Sequence, residues 1–478
     1  MGQKFFGREQ ELAQLRRLQK KSGASLVVVR GRRRIGKSRL LEEFGKEMKS
    51  LFFTGLPPNQ HTTAQTQRNE FAKQLERAGI HGIRSDDWSD LFWNLSAHTQ
   101  RGRILIVLDE ISWMGGKDPD FLGKLKTMWD LHFSKNSKLV LVLCGSISSW
   151  IEENILKHTG FLGRISLDLV LEEMSLQSCN QFWGAKKSRV NPLEKFKILS
   201  VTGGVPLYLE QILPSVSSEK NIFEMCFERG SLLYREFENI FSDLFSKKSK
   251  MYKEIIYSLS GASKSQSTIL SDLGKSHGGV YTNYLEDLVS AGFIKKDFTW
   301  NFETGKTGRD HRYRLSDNYL RFYLKYILPN QSKIEKGIFA ESSISTLRNW
   351  EGIMGLQFEN LVSHNRKDLI RFLEISSSEI VMEGPFFQKP TIRKKGCQID
   401  YMIQTKFNTL YVCEVKFLKK RVGVQVIEEV QEKIDKLKLP RSFSVRPTLI
   451  HVNGVTDELI EEDYFDKVID FGQFLVGE

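Results

Sequence analysis

The stretch SLVVVRGRRRIGKSRLLEEFGKEM, Ser25 to Met48, decides the fold of the N-terminal part of the chain. Its β-branched start, SLVVVRG, reads as a buried parallel strand, and RLLEEFGKEM reads as a helix. Between them Gly31 to Ser38 spell GRRRIGKS: a glycine, four residues, then Gly-Lys-Ser. A strand before and a helix after is the context in which such a loop cradles phosphate. Gly31 and Gly36 let backbone N–H groups turn inward, and the helix N-terminus adds its dipole. Lys37 is placed to reach the β- and γ-phosphates of a nucleotide, and the Ser38 hydroxyl to ligate magnesium. The candidate nucleotide contacts are Gly31, Arg32, Arg33, Arg34, Ile35, Gly36, Lys37, Ser38 and Arg39, and the expected cofactors are ATP and Mg2+.

Two more apolar runs extend this pattern. RILIVLDE ends in Asp109 and Glu110, about seventy residues after the loop. Asp109 is expected to hold magnesium through water, and Glu110 to orient and deprotonate the attacking water. KLVLVLCGS, Lys138 to Ser146, reads as a third strand whose end lies between the first two. Ser146 there either touches the γ-phosphate or the water, or is a simple strand-to-loop serine. Cys144, inside the apolar run, reads as core rather than as a reactive thiol.

The whole chain has 478 residues, too many for one core, so two to four domains are expected. Lys and Arg number 70 against 58 Asp and Glu, a net charge of +12 that favours an acidic partner such as nucleic acid. The five cysteines are scattered without a CxxC pair, as in a reduced protein with buried thiols. The start, MGQKFFGREQ, has no apolar signal core, and Gly2 lacks the Ser/Thr of a myristoylation motif. No apolar run approaches the ~20 residues of a membrane span. These features together predict a cytoplasmic, soluble protein with no membrane partner.

The segments FFGREQEL, GRRRIGKS, LVLDEISWM, LVLCGSISSW, FLGR (Phe161 to Arg164) and TGGVPLYL (Thr202 to Leu209) resemble the archaeal-type ATPases. These form a signal-transducing branch of the AAA-like P-loop ATPases, and the resemblance covers roughly residues 1–240. It implies that Gly7 and Arg8 lie by the adenine-ribose end of the nucleotide and that Arg164 senses phosphate. It also implies that Gly203-Gly204-Val205-Pro206 opens a lid, with Pro206 near the nucleotide. From the residues alone Arg164 is equally a surface loop charge. The arginines at 32–34 match the family, and their task inside the loop is not legible.

Met251 to Lys296 has helix-turn-helix spacing, with helices around Thr268–Leu273 and Val280–Ser290. Phe298, Trp300, Gly305 and HRYRLSD then read as a winged hairpin made basic by Lys295, Lys296, Lys306, Arg309, Arg312 and Arg314. Such a module either contacts DNA or only transmits the nucleotide state between domains. LSDNYLRFYLKYILPN, Leu315 to Asn330, reads as a connector in which Arg321 and Lys325 are solvated or paired.

From about Trp350 the order is helix, strand, strand, helix, strand, the core of the PD-(D/E)XK nuclease type. If QIDYMIQTKFNTLYVCEVKF turns at Phe407, Asp400 lies opposite Glu414, with Lys416 on the same face. Two facing carboxylates repel unless neutralised, and a divalent cation, Mg2+ or Mn2+, would do so, with Glu359 as a further ligand from the helix. Lys416 is then placed to orient the water and stabilise the phosphate. The unremarkable alternative is a solvated hairpin face with a Glu/Lys pair. Archaeal-type ATPases resemble this chain again here, since many carry such a C-terminal domain with the motifs Phe358-Glu359, Asp400 and Glu414-Val415-Lys416. The flanking runs Arg393-Lys394-Lys395 and Lys419-Lys420-Arg421 either seat a DNA backbone or are solvated turns.

The expected fold is α/β: a P-loop NTPase with a parallel sheet (1–170) and a helical lid (171–245), a winged helix and connector (246–335), and a restriction-endonuclease-like α/β domain (336–478). The expected function is an ATP-hydrolysing switch coupled to a metal-dependent DNA nuclease-like domain. The alternative is a regulatory ATPase whose C-terminal fold only binds DNA or protein. DNA is the expected partner, beside a second copy of the chain or another protein.

Overall fold

The computed structural model of the chain describes residues 5–59, 61–82, 86–146, 148–245, 249–276, 278–340, 344, 346–392, 395–437 and 439–476. Gly2 and the pair Arg393 and Lys394, singled out above, lie outside the described residues. The chain divides into two compact units.

The first unit takes in residues up to Glu172, with Asn239–Ser249 and Asn283–Gly292. Its sheet comprises β1 (Ser25–Gly31), β2 (Lys49–Thr54), β3 (Ile104–Asp109), β4 (Leu139–Gly145) and β5 (Ile165–Leu171). All pairs are parallel, in the order β2-β3-β4-β1-β5. Alternate residues of each strand enter different cores. Val27 and Val29 pack with Leu12, Leu15, Leu40 and Phe44 from helices Glu9–Leu18 and Lys37–Gly45. Leu26 and Val28 face Phe71, Trp88, Phe92 and Phe121 on the other side. A sheet covered on both faces explains why β1 and β4 read as continuous apolar runs rather than alternating ones. Because the strands are parallel and β4 lies between β3 and β1, their carboxyl ends share one edge, where ligands bind in such sheets. Strands β2 and β5 were not foreseen: KSLFFT and ISLDLVL carry exposed or polar residues at alternate positions, as befits the two outer strands.

The second unit takes in Glu173–Glu238, Lys250–Thr282 and Phe293–Glu478. Helix Gln266–Asp272 lies where the first helix of the helix-turn-helix was expected, and a helix at Gly279–Ser290 follows in the chain. The antiparallel pair β6 (Ile294–Trp300) and β7 (Thr307–Leu315) comes next. The helix Trp350–His364 buries Phe358 beside Phe196 of the Pro192–Thr202 helix, ring centroids 5.1 Å apart, and beside Phe471 at 5.9 Å. It also buries two amides. Gln357 donates to the Asn318 carbonyl at 2.7 Å, and Asn360 to the Leu315 carbonyl at 3.1 Å. Arg321 is fully enclosed and donates to Gln357 Oε1 at 2.7 Å and the Leu315 carbonyl at 2.6 Å. It is therefore not solvated, and its partners are neutral acceptors that knit the connector to this helix.

The second sheet consists of β8 (Ile380–Gln388), β9 (Cys397–Thr405), β10 (Thr409–Val415), β11 (Ser444–His451) and β12 (Lys467–Asp470). β8, β9 and β10 are antiparallel neighbours; β10, β11 and β12 run parallel, and the helix Gln425–Lys436 makes the crossover from β10 to β11. The expected helix–strand–strand–helix–strand order is present, with β8 and β12 added at the two edges. β8 is hard to read because Gly384 and Pro385 interrupt it, and the ladder shifts register there.

Candidate functional site

At the carboxyl edge of the first sheet, the loop after β1 folds back on itself. Lys37 Nζ donates to the Gly31 and Arg32 carbonyls at 3.0 and 3.1 Å and to Ser146 Oγ at 2.8 Å. Ser146 Oγ donates onward to Glu110 Oε1 at 3.1 Å. Ser38 Oγ donates to Asp109 Oδ2 at 2.7 Å. Thus three strand ends bring together the loop lysine, the loop serine, both acids and Ser146. Ser146 is 3% exposed and bonded to both Lys37 and Glu110.

The backbone around these groups is strained in a way that fits an anion cradle. Arg34 and Gly36 have φ of 69° and 89°, and Glu110 has φ of 50°. Gly31 has a second reason to be glycine: a Cβ there would meet the Leu171 carbonyl oxygen at 2.4 Å, so the close approach of β5 also requires it. Arg8 lies against the loop and donates to the Ile35 carbonyl at 3.2 Å and the Glu172 carbonyl at 2.6 Å. Gly7, with φ of 64°, sets up its approach. Arg39 extends away to Glu42 at 3.3 Å. Burial pushes the Glu110 carboxyl above its usual range; Lys37 counteracts this and Asp109 adds to it. The second carboxylate oxygen of Glu110 is buried without a hydrogen-bond partner, an acceptor left open where water would be held. These features fit a nucleotide with magnesium. Cys144 is fully buried, and burial holds its thiol well above the usual value, so it is core.

Arg164 does not join this group. Its guanidinium makes a two-pronged pair with Asp130, at 2.7 and 2.9 Å. Arg164 and then Lys126 hold the Asp130 carboxyl down at about 2. Pro206 opens the short helix Pro206–Leu209 in the second unit, where Gly204 N–H bonds Glu173 Oε2 at 2.8 Å.

In the second sheet, β9 and β10 pair Cys413 with Tyr401 and Val412 with Met402, the register that sets Glu414 opposite Asp400. Asp400 Oδ2 accepts from the Val415 N–H at 2.9 Å. Lys416 Nζ lies 3.0 Å from Glu414 Oε1 and 2.6 Å from Glu429 Oε2. A further cation, Lys433 of the Gln425–Lys436 helix, bonds Glu414 Oε2 and lies 3.7 Å from Asp400 Oδ1. Burial alone would lower both ammoniums, but the facing carboxylates outweigh it and raise them. Lys433 was not foreseen, although a signal existed. Val426 and Val430 form the buried stripe of the helix, and Lys433 continues that stripe one turn on, so a charge there points inward.

Lys433 corrects the charge argument. Lys433 and Lys416, the latter shared with Glu429, already offset part of the charge of Asp400 and Glu414, so repulsion within the pair does not by itself demand a metal. Glu359 lies with Asp400 along one cleft rather than within the pair. Among the described residues no three Asp, Glu, His or Cys side chains gather as a metal cluster. Burial and then the charge of Asp400 lift Glu359 to about 8, and burial and then Glu414 lift Asp400 to about 6. The donor chemistry, all carboxylate oxygen, is of the kind that suits Mg2+ or Mn2+.

Sheet order, loop and acids define the class of the first unit: an α/β P-loop NTPase with a parallel central sheet. Residues 5–212 match the family described as "ATPase domain predominantly from Archaea". An uncharacterized protein of Methanocaldococcus jannaschii is 26% identical over 360 residues, 75% of this chain and 76% of that protein. Among solved structures, the Walker-type ATPase of Pyrococcus abyssi is similar in fold, with a TM-score of 0.51 at 16% identity, over 67% of this chain and 96% of that one. No helix among the described residues is long and apolar enough to cross a membrane.

Proposed function

We propose that the chain is an ATP-hydrolysing switch whose ATPase domain governs a C-terminal, metal-dependent nuclease-like domain acting on DNA. For the ATPase, the carrying observation is the chain of contacts Lys37–Ser146–Glu110 beside Ser38–Asp109. Phosphate would take the Lys37 ammonium from the Gly31 and Arg32 carbonyls, and that movement shifts Ser146 and Glu110. Glu110 would accept the proton of the attacking water and Ser146 would position Glu110; Ser38 with Asp109 would hold magnesium, which would supply positive charge to the phosphates. Arg8 steadies the loop from behind, and Arg164 reaches phosphate only on leaving Asp130. The segment 246–335 serves as a winged helix and connector, and residues 171–245 as the lid.

For the second site, the supporting observation is the Asp400/Glu414 opposition with Lys416 on the same face. A bound Mg2+ or Mn2+ would supply a water nucleophile and charge to the phosphodiester. Asp400 and Glu414, with Glu359 from the same cleft, would hold it, and Lys416 would steady the charge that develops on phosphate. A second reading, a regulatory ATPase that binds DNA without cutting it, is favoured by Lys433, whose ammonium pairs both carboxylates without a metal. The test is cleavage of plasmid, linear and single-stranded DNA with Mg2+ or Mn2+, comparing wild type with Asp400→Ala and Lys416→Ala. Cleavage unchanged in both variants overturns the nuclease assignment, and its absence in wild type selects the second reading. For the ATPase, Lys37→Ala abolishes nucleotide binding and Glu110→Gln traps bound ATP; retained turnover in both sinks that assignment.

A further inference from the structure

The cleft that holds Glu359 and Asp400 has a wall contributed by the β6–β7 hairpin: Asp297, Arg312 and Arg314. Arg314 is fully engaged. It grips the Asp297 carboxylate at 2.7 and 3.3 Å and donates to the Asn360 side chain. Arg312 is different. It faces Asp297 across the ladder but makes no ion pair with any carboxylate among the described residues. Its guanidinium instead lies over the Phe387 ring, 4.6 Å from the centroid. A guanidinium held against a ring loses little freedom when it binds, and its fork suits the paired oxygens of a phosphate. Gln398 and Ser263 add neutral hydrogen-bonding groups to the same cleft.

We propose that Arg312 is the phosphate clamp of the Asp400–Glu414 site, so that the hairpin and the mixed sheet together form one seat for a DNA phosphodiester. This deepens the proposed function and rests on the second site's being directed to nucleic acid. It differs from the usual use of a wing, in which exposed residues of the hairpin, here Lys306 and Arg309, would meet the backbone. The net charge of +12 supplies long-range attraction, and Arg312 fixes where one phosphate comes to rest.

Binding of the full chain to fluorescent single-stranded DNA, duplex DNA and RNA is measured by anisotropy over a range of salt, in EDTA and in Ca2+. Arg312→Ala should weaken DNA binding about tenfold and reduce the salt slope by about 0.9 on duplex or 0.7 on single strands. Arg312→Lys should restore the slope while recovering only part of the affinity, because it keeps the charge and loses the fork. ATP turnover and the thermal midpoint serve as controls for folding and should match wild type. Wild-type affinity and slope in Arg312→Ala overturn the proposal. So do losses seen only in Lys306→Ala and Arg309→Ala, and so does a wild-type protein that prefers RNA or binds no nucleic acid. DNA binding that depends on Arg312 without any cleavage leaves this inference standing and removes the nuclease reading. Cleavage and binding indifferent to Arg312 do the reverse.

Discussion

Lys433→Met is the most informative single change in the second unit. It keeps most of the side-chain stem and removes the ammonium that bonds Glu414 and lies 3.7 Å from Asp400. Removing one partner of a buried ion pair costs about 3–5 kcal/mol. Two features reduce that figure here: Glu414 keeps Lys416 at 3.0 Å, and the Lys433 side chain is 25% exposed. A loss of about 2 kcal/mol remains, which lowers the midpoint of a large domain by roughly 4–8 °C. The assay is thermal unfolding in EDTA and again with Mn2+. In EDTA the variant unfolds earlier than wild type. With Mn2+ it recovers, because a divalent cation can take the vacated place; saturation near a hundredfold above Kd contributes about 2.7 kcal/mol. Wild type gains less, since its own ammonium must first be displaced. An unchanged midpoint in EDTA would mean that Lys433 does not hold the pair together. A loss that Mn2+ fails to repair would mean that Asp400 and Glu414 do not form a cation site.

Ser146→Ala removes the link between Lys37 and Glu110 and should lower the turnover of ATP about tenfold with little change in KM; unchanged turnover returns Ser146 to a structural role. Asp130 is held at about 2 by Arg164, so the pair stays closed across the neutral range and opens by mutation, not by mild acid. If Arg164 acts on phosphate, Asp130→Asn raises ATP turnover and Arg164→Ala lowers it; equal rates in both place the arginine outside the reaction. Lys195 is enclosed by Asn180 Oδ1 and the Lys187 and Leu475 carbonyls, and burial, aided by Lys187, lowers it to about 8. A lysine lowered on folding destabilises the native state below its folded pKa, and the penalty fades as pH rises toward its unfolded value near 10.4. Wild type should therefore gain up to about 3 kcal/mol between those values relative to Lys195→Met. Parallel pH profiles for the two proteins would contradict this.

The legible parts of the molecule were those written in short, contiguous segments. GRRRIGKS carries its own geometry, and the parallel order of β1, β3 and β4 follows from three buried runs with polar residues at their ends. The Asp400/Glu414 opposition was also legible, because a tight turn at Phe407 fixes register by counting. What escaped was set by distant packing. Nothing local says that Arg164 finds Asp130 thirty-four positions earlier, or that Lys433 reaches across from a helix to balance two strand carboxylates. Arg312 was visible only as one of six basic residues around the hairpin. Its distinction from Arg314 comes from the Asp297 carboxylate, which bonds Arg314 and leaves its own ladder partner Arg312 against the Phe387 ring.

The most direct test of the central claim is DNA cleavage measured with and without ATP, in Mg2+ or Mn2+, on wild type and Asp400→Ala in parallel. The account predicts cleavage by wild type that changes with ATP, and none by Asp400→Ala, whose ATP turnover persists. Undiminished cleavage by Asp400→Ala, or a wild-type protein that hydrolyses ATP yet cuts no DNA in any nucleotide state, would contradict it.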